Sequence, residues 1–162
     1  MDWIIKNLCT LGPIGTKLPA PGTFGSIVGV LVFYILSMFS SLQPQQIIIF
    51  FLILFAIGIP LCSRVEVLLS KTDPPEVIWD EFTAVPFVYL FCLDSLDSYI
   101  IIITGFILFR FFDIVKPLGI RKIQHLSAGL GVMLDDLAAA CCSACLLYLF
   151  KTFALSFGEY QF

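Results

Sequence analysis

Charge is scarce in this sequence. Of its 162 residues only 13% are charged, against about 25% in an ordinary soluble domain. With 59% hydrophobic residues, too few polar side chains remain to cover the surface of a globule. The mean hydropathy of +1.01 agrees. Histidine occurs once, at position 125, which excludes any chemistry that needs two imidazoles, and the lone His125 is given no role. Six cysteines are present, but four lie inside apolar runs and Cys9 and Cys62 sit at the margins of such runs. No spacing matches a zinc site or a disulfide framework, so they read as small hydrophobes. No cysteine stands six residues before an arginine, and no glycine-rich nucleotide loop is present. The sequence offers no feature for binding nucleic acid. No cleavable signal segment, low-complexity stretch or long-period repeat is visible, and a chain of this length predicts one domain, residues 1–162.

What is present is a series of apolar segments, each close to the roughly 20 residues a helix needs to cross about 30 Å of hydrocarbon. They run over 24–40, 46–62, 75–93, 98–115 and 132–150. Backbone groups in lipid must bond within their own segment, and no period-two alternation appears, so these are predicted helices rather than barrel strands. The expected architecture is an all-α membrane bundle of about five helices. The third segment is interrupted by Asp80, Glu81 and Pro86. Lys6, Lys17, Arg64, Lys71, Lys116, Arg121 and Lys122 fall in stretches that would share one side, and Lys151 alone falls on the other. The excess of positive charge predicts a cytoplasmic N-terminus and an external C-terminus.

That topology gathers the acids. Asp73, Glu76, Asp80 and Glu81 begin the third segment, Asp113 ends the fourth, and Asp135 and Asp136 lie in the first turns of the fifth. All seven are expected at the cytoplasmic interface, whereas Asp94 and the other acids read as ordinary loop residues. Asp73-Pro74-Pro75-Glu76 is also a good helix start, with a capping residue and a capping-box acid. That reading does not extend to Asp80 and Glu81, because an ionised acid in a membrane helix costs at least ~2.5 kcal/mol. Asp135 and Asp136 could answer the dipole of a helix N-terminus, but adjacent carboxylates at low dielectric repel unless a cation neutralises them. The small residues that follow, Ala138 to Cys145, allow close helix approach and predict a central position for this helix. Arg110 and Asp113 share a helix face, and Lys116 continues it. Pro21-Gly22-Thr23-Phe24-Gly25-Ser26, with Lys17 upstream, is a glycine-rich lead-in to a positive helix end, which suits phosphate. Gly25 and Gly29 also form a small-residue packing face. Carboxylates with a few cations at headgroup level point to Mg²⁺ and a phospholipid phosphate ester as substrate.

Four motifs in order carry a resemblance. They are Pro21-Gly22-Thr23-Phe24-Gly25-Ser26; Asp73-Pro74 with Val77-Ile78-Trp79-Asp80-Glu81; Phe109-Arg110-Phe111-Phe112-Asp113-Ile114-Val115-Lys116-Pro117; and Gly129-Leu130-Gly131-Val132-Met133-Leu134-Asp135-Asp136. Together they resemble the phosphatidylglycerophosphatase A family over about 17–139. Gly119 stands where that family often has proline, and Thr83-Ala84 where it often has glycine; neither replaces a charged group. The resemblance implies a Mg²⁺-dependent phosphatase of the bacterial inner membrane, with its site facing the cytoplasm. It would convert phosphatidylglycerophosphate to phosphatidylglycerol. It implies metal ligation by Asp80, Glu81, Asp135 and Asp136, and catalysis by Asp80, Asp113, Asp135 and Asp136. Phosphate binding would fall to Arg110, Lys116, Lys17 and Thr23. The nucleophile, metal-activated water or an aspartate, stays open, as does the oligomeric state. The rival from another class is a small cation transporter or channel, since intramembrane acids also mark ion paths. Here the acids collect at one face rather than through the depth. A lipid phosphotransferase is the third reading, and its usual signature of spaced aspartates and glycines is missing.

Overall fold

Proline and glutamine set the starts of the N-terminal helices. Pro13, Pro21 and Pro44 occupy the first turns of α2 (Pro13–Lys17), α3 (Pro21–Phe39) and α4 (Pro44–Leu69), where a missing N–H leaves no hydrogen bond unmade. Gln43 and Gln46 close a reciprocal capping box on α4, with the Gln43 N–H donating to Gln46 Oε1 at 2.8 Å. Ahead of these lies α1 (Asp2–Cys9), and after them come α5 (Trp79–Ala84), α6 (Tyr99–Val115), α7 (Ile120–Ile123) and α8 (Gly129–Ser156). The computed structural model describes residues 1–117, 119–123 and 129–156, and among these every regular element is helical. His125 lies outside the described residues.

Three helices, α3, α4 and α8, are long and apolar enough to cross a membrane. The 26 residues of α4 extend about 39 Å, more than the hydrocarbon core requires. The 17 residues of α6 extend about 25 Å. On α6, Ile103, Ile107, Phe111 and Ile114 recur at helical spacing and are all more than half exposed. An outward apolar stripe of this kind fits lipid rather than water. The fifth predicted helix is central, as its small residues implied. Helix α8 packs against α4, α5, α6 and α7, and Ala139, Ala140, Ser143 and Ala144 are buried along it.

The third predicted helix is not a continuous helix. α5 ends at Ala84, a 3₁₀ segment covers Val85–Tyr89, and a second 3₁₀ turn covers Leu93–Ser95. Pro86 supplies the reason: it has no N–H to give to the preceding turn, and its ring crowds the carbonyl four residues back. From Trp79 to Tyr89 the backbone advances only about 19 Å. Such irregular backbone is tolerated at membrane depth only when protein surrounds it, and here it is surrounded. The segment contacts α3, α4, α6 and α8, and its residues from Phe82 to Tyr89 are all buried. Trp79 donates from Nε1 to the Leu54 carbonyl of α4 at 3.2 Å, and Tyr89 donates from its hydroxyl to the Ile102 carbonyl of α6 at 2.8 Å. Gly29 lets α3 press against this segment, since a Cβ there would lie 2.5 Å from both the Phe82 carbonyl oxygen and Val85 Cγ1.

The route from Asp73 to Asp94 still joins the two ends of the bundle. At the far end, Lys151 of α8 donates to Asp94 at 2.5 Å. Fifteen residues of α8, about 23 Å, separate Lys151 from Asp136. Lys151, the one basic residue the sequence put on this side, thus has an acidic partner here, and Asp94 is more than a turn residue. The Lys151 hydrogen bond holds the Asp94 carboxyl below its ordinary range.

Candidate active site

At the opposite end, five parts of the chain converge on a cavity of about 260 Å³. The first turn of α3 supplies Pro21 and Gly22, and the lead-in to α5 supplies Asp73 and Val77. α5 itself supplies Asp80 and Glu81. Arg110, Asp113 and Lys116 come from the end of α6, and Asp136 from α8. The convergence depends on tight packing. A Cβ on Gly22 would collide with Glu81 Oε1 while meeting Arg110 Nη1 at an ordinary 3.5 Å, so only glycine leaves the Glu81 carboxylate where it is. Gly22→Ala is expected to cut turnover by about ten- to a hundredfold through displacement of the Glu81 carboxylate. Thermal stability should not fall, because alanine favours the first turn of α3. Paired activity and melting measurements check this, and an unchanged turnover would show that the contact is slack.

Arg110 organises one wall. Its Nη1 lies 2.6 Å from Asp113 Oδ2, 3.1 Å from Ser26 Oγ and 4.0 Å from Glu81 Oε1. Ser26 donates in turn to the Gly22 carbonyl at 2.8 Å, which locks the α3 turn to the guanidinium. Lys116 follows α6 in a left-handed conformation, φ 47°, and its ammonium is bonded to Asp135 Oδ2. Burial disfavours the Lys116 charge, but the Asp135 hydrogen bond and the carboxylates of Asp135, Asp136 and Asp113 override it and raise its pKa above the ordinary lysine value.

The opposite wall is carboxylate. Asp80, Glu81 and Asp136 each place an oxygen within 4.8 Å of the others. Asp80 Oδ1, Glu81 Oε2 and Asp136 Oδ2 are buried and have no hydrogen-bond partner among the described residues. Acceptors facing acceptors in a buried site are costly without a counter-charge. An all-oxygen set of this kind suits a hard divalent cation, so the residues fit the Mg²⁺ expected from the sequence.

The sequence-predicted residues thus fall into three groups. Asp80, Glu81, Asp136, Arg110, Asp113 and Lys116 share the cavity. Asp135 is next to Asp136 in sequence but faces Lys116, because neighbours on a helix point about 100° apart. Lys17 and Thr23 do not line the cavity. Lys17 is exposed and borders a separate concavity with Trp3 and Lys6, since the chain turns through extended Leu18 and left-handed Ala20 before α3 begins. Thr23 is rotated away from the face that Gly22 and Ser26 present. Two contributors escaped the sequence reading. Ser26 lay inside the glycine-rich motif, where its i, i+4 relation to Gly22 was the available signal. Asp73, read as a possible helix cap, lines the cavity instead and adopts a left-handed φ of 50°.

Comparison with known proteins gives a consistent result. Residues 7–151 match the family described as Phosphatidylglycerophosphatase A. A Haemophilus influenzae protein named Phosphatidylglycerophosphatase A is 38% identical over 146 residues, 84% of this chain and 87% of its own length. An Escherichia coli K12 protein of the same name is 31% identical over 129 residues, covering 79% of this chain and 72% of the relative. A Bacteroides thetaiotaomicron protein, provisionally named a phosphatidylinositol-3-phosphatase, is 37% identical over 123 residues, 74% of this chain and 76% of its own length. No solved structure matches. With its acids and its arginine gathered in one cavity, and with relatives matched over most of its length, this chain belongs to the phosphatidylglycerophosphatase A family of phosphatases.

Proposed function

We propose that this protein removes the terminal phosphate of phosphatidylglycerophosphate, leaving phosphatidylglycerol and inorganic phosphate. We propose further that it does so from the cytoplasmic face of a bacterial inner membrane. The observation that carries the reading is the presence of three donor-less buried carboxylate oxygens and a largely shielded guanidinium in one small cavity. Asp80, Glu81 and Asp136 would hold Mg²⁺. When bound, the ion neutralises phosphate oxygens and lets an anionic ester approach three carboxylates. Arg110, held by Asp113 and Ser26, would donate to the transferring phosphoryl group as its charge redistributes. Lys116, fixed by Asp135, adds a second cation at the rim. Attack on phosphorus comes from water or from a cavity aspartate. In either case the P–O bond to the glycerol breaks, the leaving oxygen takes a proton, and water supplies the oxygen gained by the released phosphate. The charged residues of α4, α6 and α8 lie toward the ends of these helices, an arrangement that favours an interfacial reaction over an ion path through the bundle.

Phosphate release from phosphatidylglycerophosphate by the purified protein in detergent tests the reading. Release is expected with Mg²⁺ and is expected to fall to background with EDTA, returning when Mg²⁺ is restored. Phosphatidylinositol 3-phosphate, offered in parallel, is expected to be the poorer substrate. Release that survives EDTA would remove the metal from the proposal. A folded protein that leaves phosphatidylglycerophosphate intact would remove the substrate.

A further inference from the structure

Beyond the cavity, α6 and α8 border a second, open concavity of about 380 Å³, lined by Phe112, Cys141, Cys142, Cys145 and Leu146. No charged side chain borders it. Its position relative to the polar site follows from the two helices. Phe112 lies one turn before Lys116, whose N–H donates to the Phe112 carbonyl at 2.8 Å. Cys142 lies seven residues, about 10.5 Å, beyond Asp135 on the same face of α8. The Lys116–Asp135 pair therefore ties the two helices together about one turn from Phe112 and two turns from Cys142, with Lys116 also lining the carboxylate cavity.

We infer that this groove is the seat of one acyl chain of the lipid substrate, with the headgroup in the carboxylate cavity and Lys116 between them. The inference rests on the phosphatase reading and adds a determinant of lipid specificity to it. The occupant follows from proximity: the groove begins one helical turn from a cation of the headgroup site, and a glycerophospholipid is a ligand that is charged at one end and apolar at the other. Lipid tails are as apolar as the groove, so occupancy gains little from the hydrophobic effect. Its effect is positional, holding the ester so that the terminal phosphate meets Arg110 and the carboxylates in register. Cysteine behaves as a small hydrophobe, so three of them leave room for a chain without adding charge.

Filling the groove tests this. Cys142→Trp is expected to lower the ratio of kcat/KM for diacyl phosphatidylglycerophosphate over that for its deacylated, water-soluble counterpart at least tenfold. Cys142→Ala, which leaves the groove open, should keep that ratio within twofold of the starting protein. An unchanged ratio in a folded Cys142→Trp protein overturns the groove. A second readout needs no turnover. In a Cys141→Ala, Cys145→Ala background the other three cysteines are buried, so alkylation reports Cys142. Long-chain phosphatidic acid should slow that alkylation at least fivefold and glycerol 3-phosphate should not. Equal rates with either ligand overturn the inference. Protection without hydrolysis of any phosphate ester would instead keep the groove and sink the phosphatase reading.

Discussion

Asp136→Asn is expected to lower phosphate release about 10²- to 10³-fold while leaving the protein folded and no less stable without metal. The activity loss has the size seen when one preorganised electrostatic partner of a transition state is removed, about 2.7–4 kcal/mol. Asp136 is 3% exposed, and its Oδ2 has no donor among the described residues. The asparagine has nearly the same shape. It replaces one of three clustered carboxyl groups by an amide, a much poorer ligand for the proposed cation. The stability expectation runs the opposite way, because one of three crowded buried acids is replaced by a neutral group in the metal-free state. Adding Mg²⁺ should raise the melting temperature of the unaltered protein by mass action and should leave that of the variant almost unmoved. Turnover within tenfold of the unaltered protein would take Asp136 out of the site. A large fall in melting temperature without metal would mean that the cluster is structural rather than poised for a cation.

Arg110→Leu is expected to be severe in both activity and stability. The guanidinium touches Asp113 at 2.6 Å and Ser26 at 3.1 Å, and it stands 4.0 Å from Glu81. Removing it leaves a buried aspartate and a poorly exposed glutamate without their cation, and breaking a buried pair from one side costs about 3–5 kcal/mol. The companion Asp113→Leu in the same chain removes the orphaned charge and should return much of the lost stability, as apolar replacements of buried pairs do. Turnover should not return with it, because the guanidinium donor to the phosphoryl group is still missing and Lys116 is held by Asp135. Arg110→Lys should regain part of the stability and little of the rate, since one ammonium cannot span Asp113, Ser26 and a phosphate oxygen as a planar fork does. Thermal melting and phosphate release on the same preparations separate the outcomes. Recovery of turnover in the double-leucine chain would show that Arg110 serves only to neutralise Asp113.

Periodicity and small residues made much of this bundle legible in advance. α3, α4, α6 and α8 form where long apolar runs required them, and the alanine-rich turns of α8 placed it centrally. The acids of the third, fourth and fifth segments were readable as one layer because a bilayer leaves few places for charge. Angular detail was not readable. Asp135 and Asp136 differ by one residue in sequence but face different partners, and nothing local to Asp135 signals Lys116, nineteen positions away. Lys17 stood beside the phosphate-type motif in sequence, but the left-handed turn at Ala20 sends it to another surface. Proline in the third segment announced a break without saying that four helices would enclose the broken piece.

That enclosed segment bears on how the protein is made. A continuous helix can partition into lipid as it leaves the translocation machinery, because its backbone satisfies itself. Residues 79–89 have a 3₁₀ half, a proline and two acids, and their side-chain anchors are carbonyls on α4 and α6. α4 is synthesised before this stretch, whereas α6 and α8 come after it. Its lipid-compatible state therefore depends on neighbours that do not exist when it first emerges, so assembly has an order. The stretch that carries Asp80 and Glu81 finds its full set of neighbours only after later helices are made, and the carboxylate wall is completed only when α8 brings Asp136 to it.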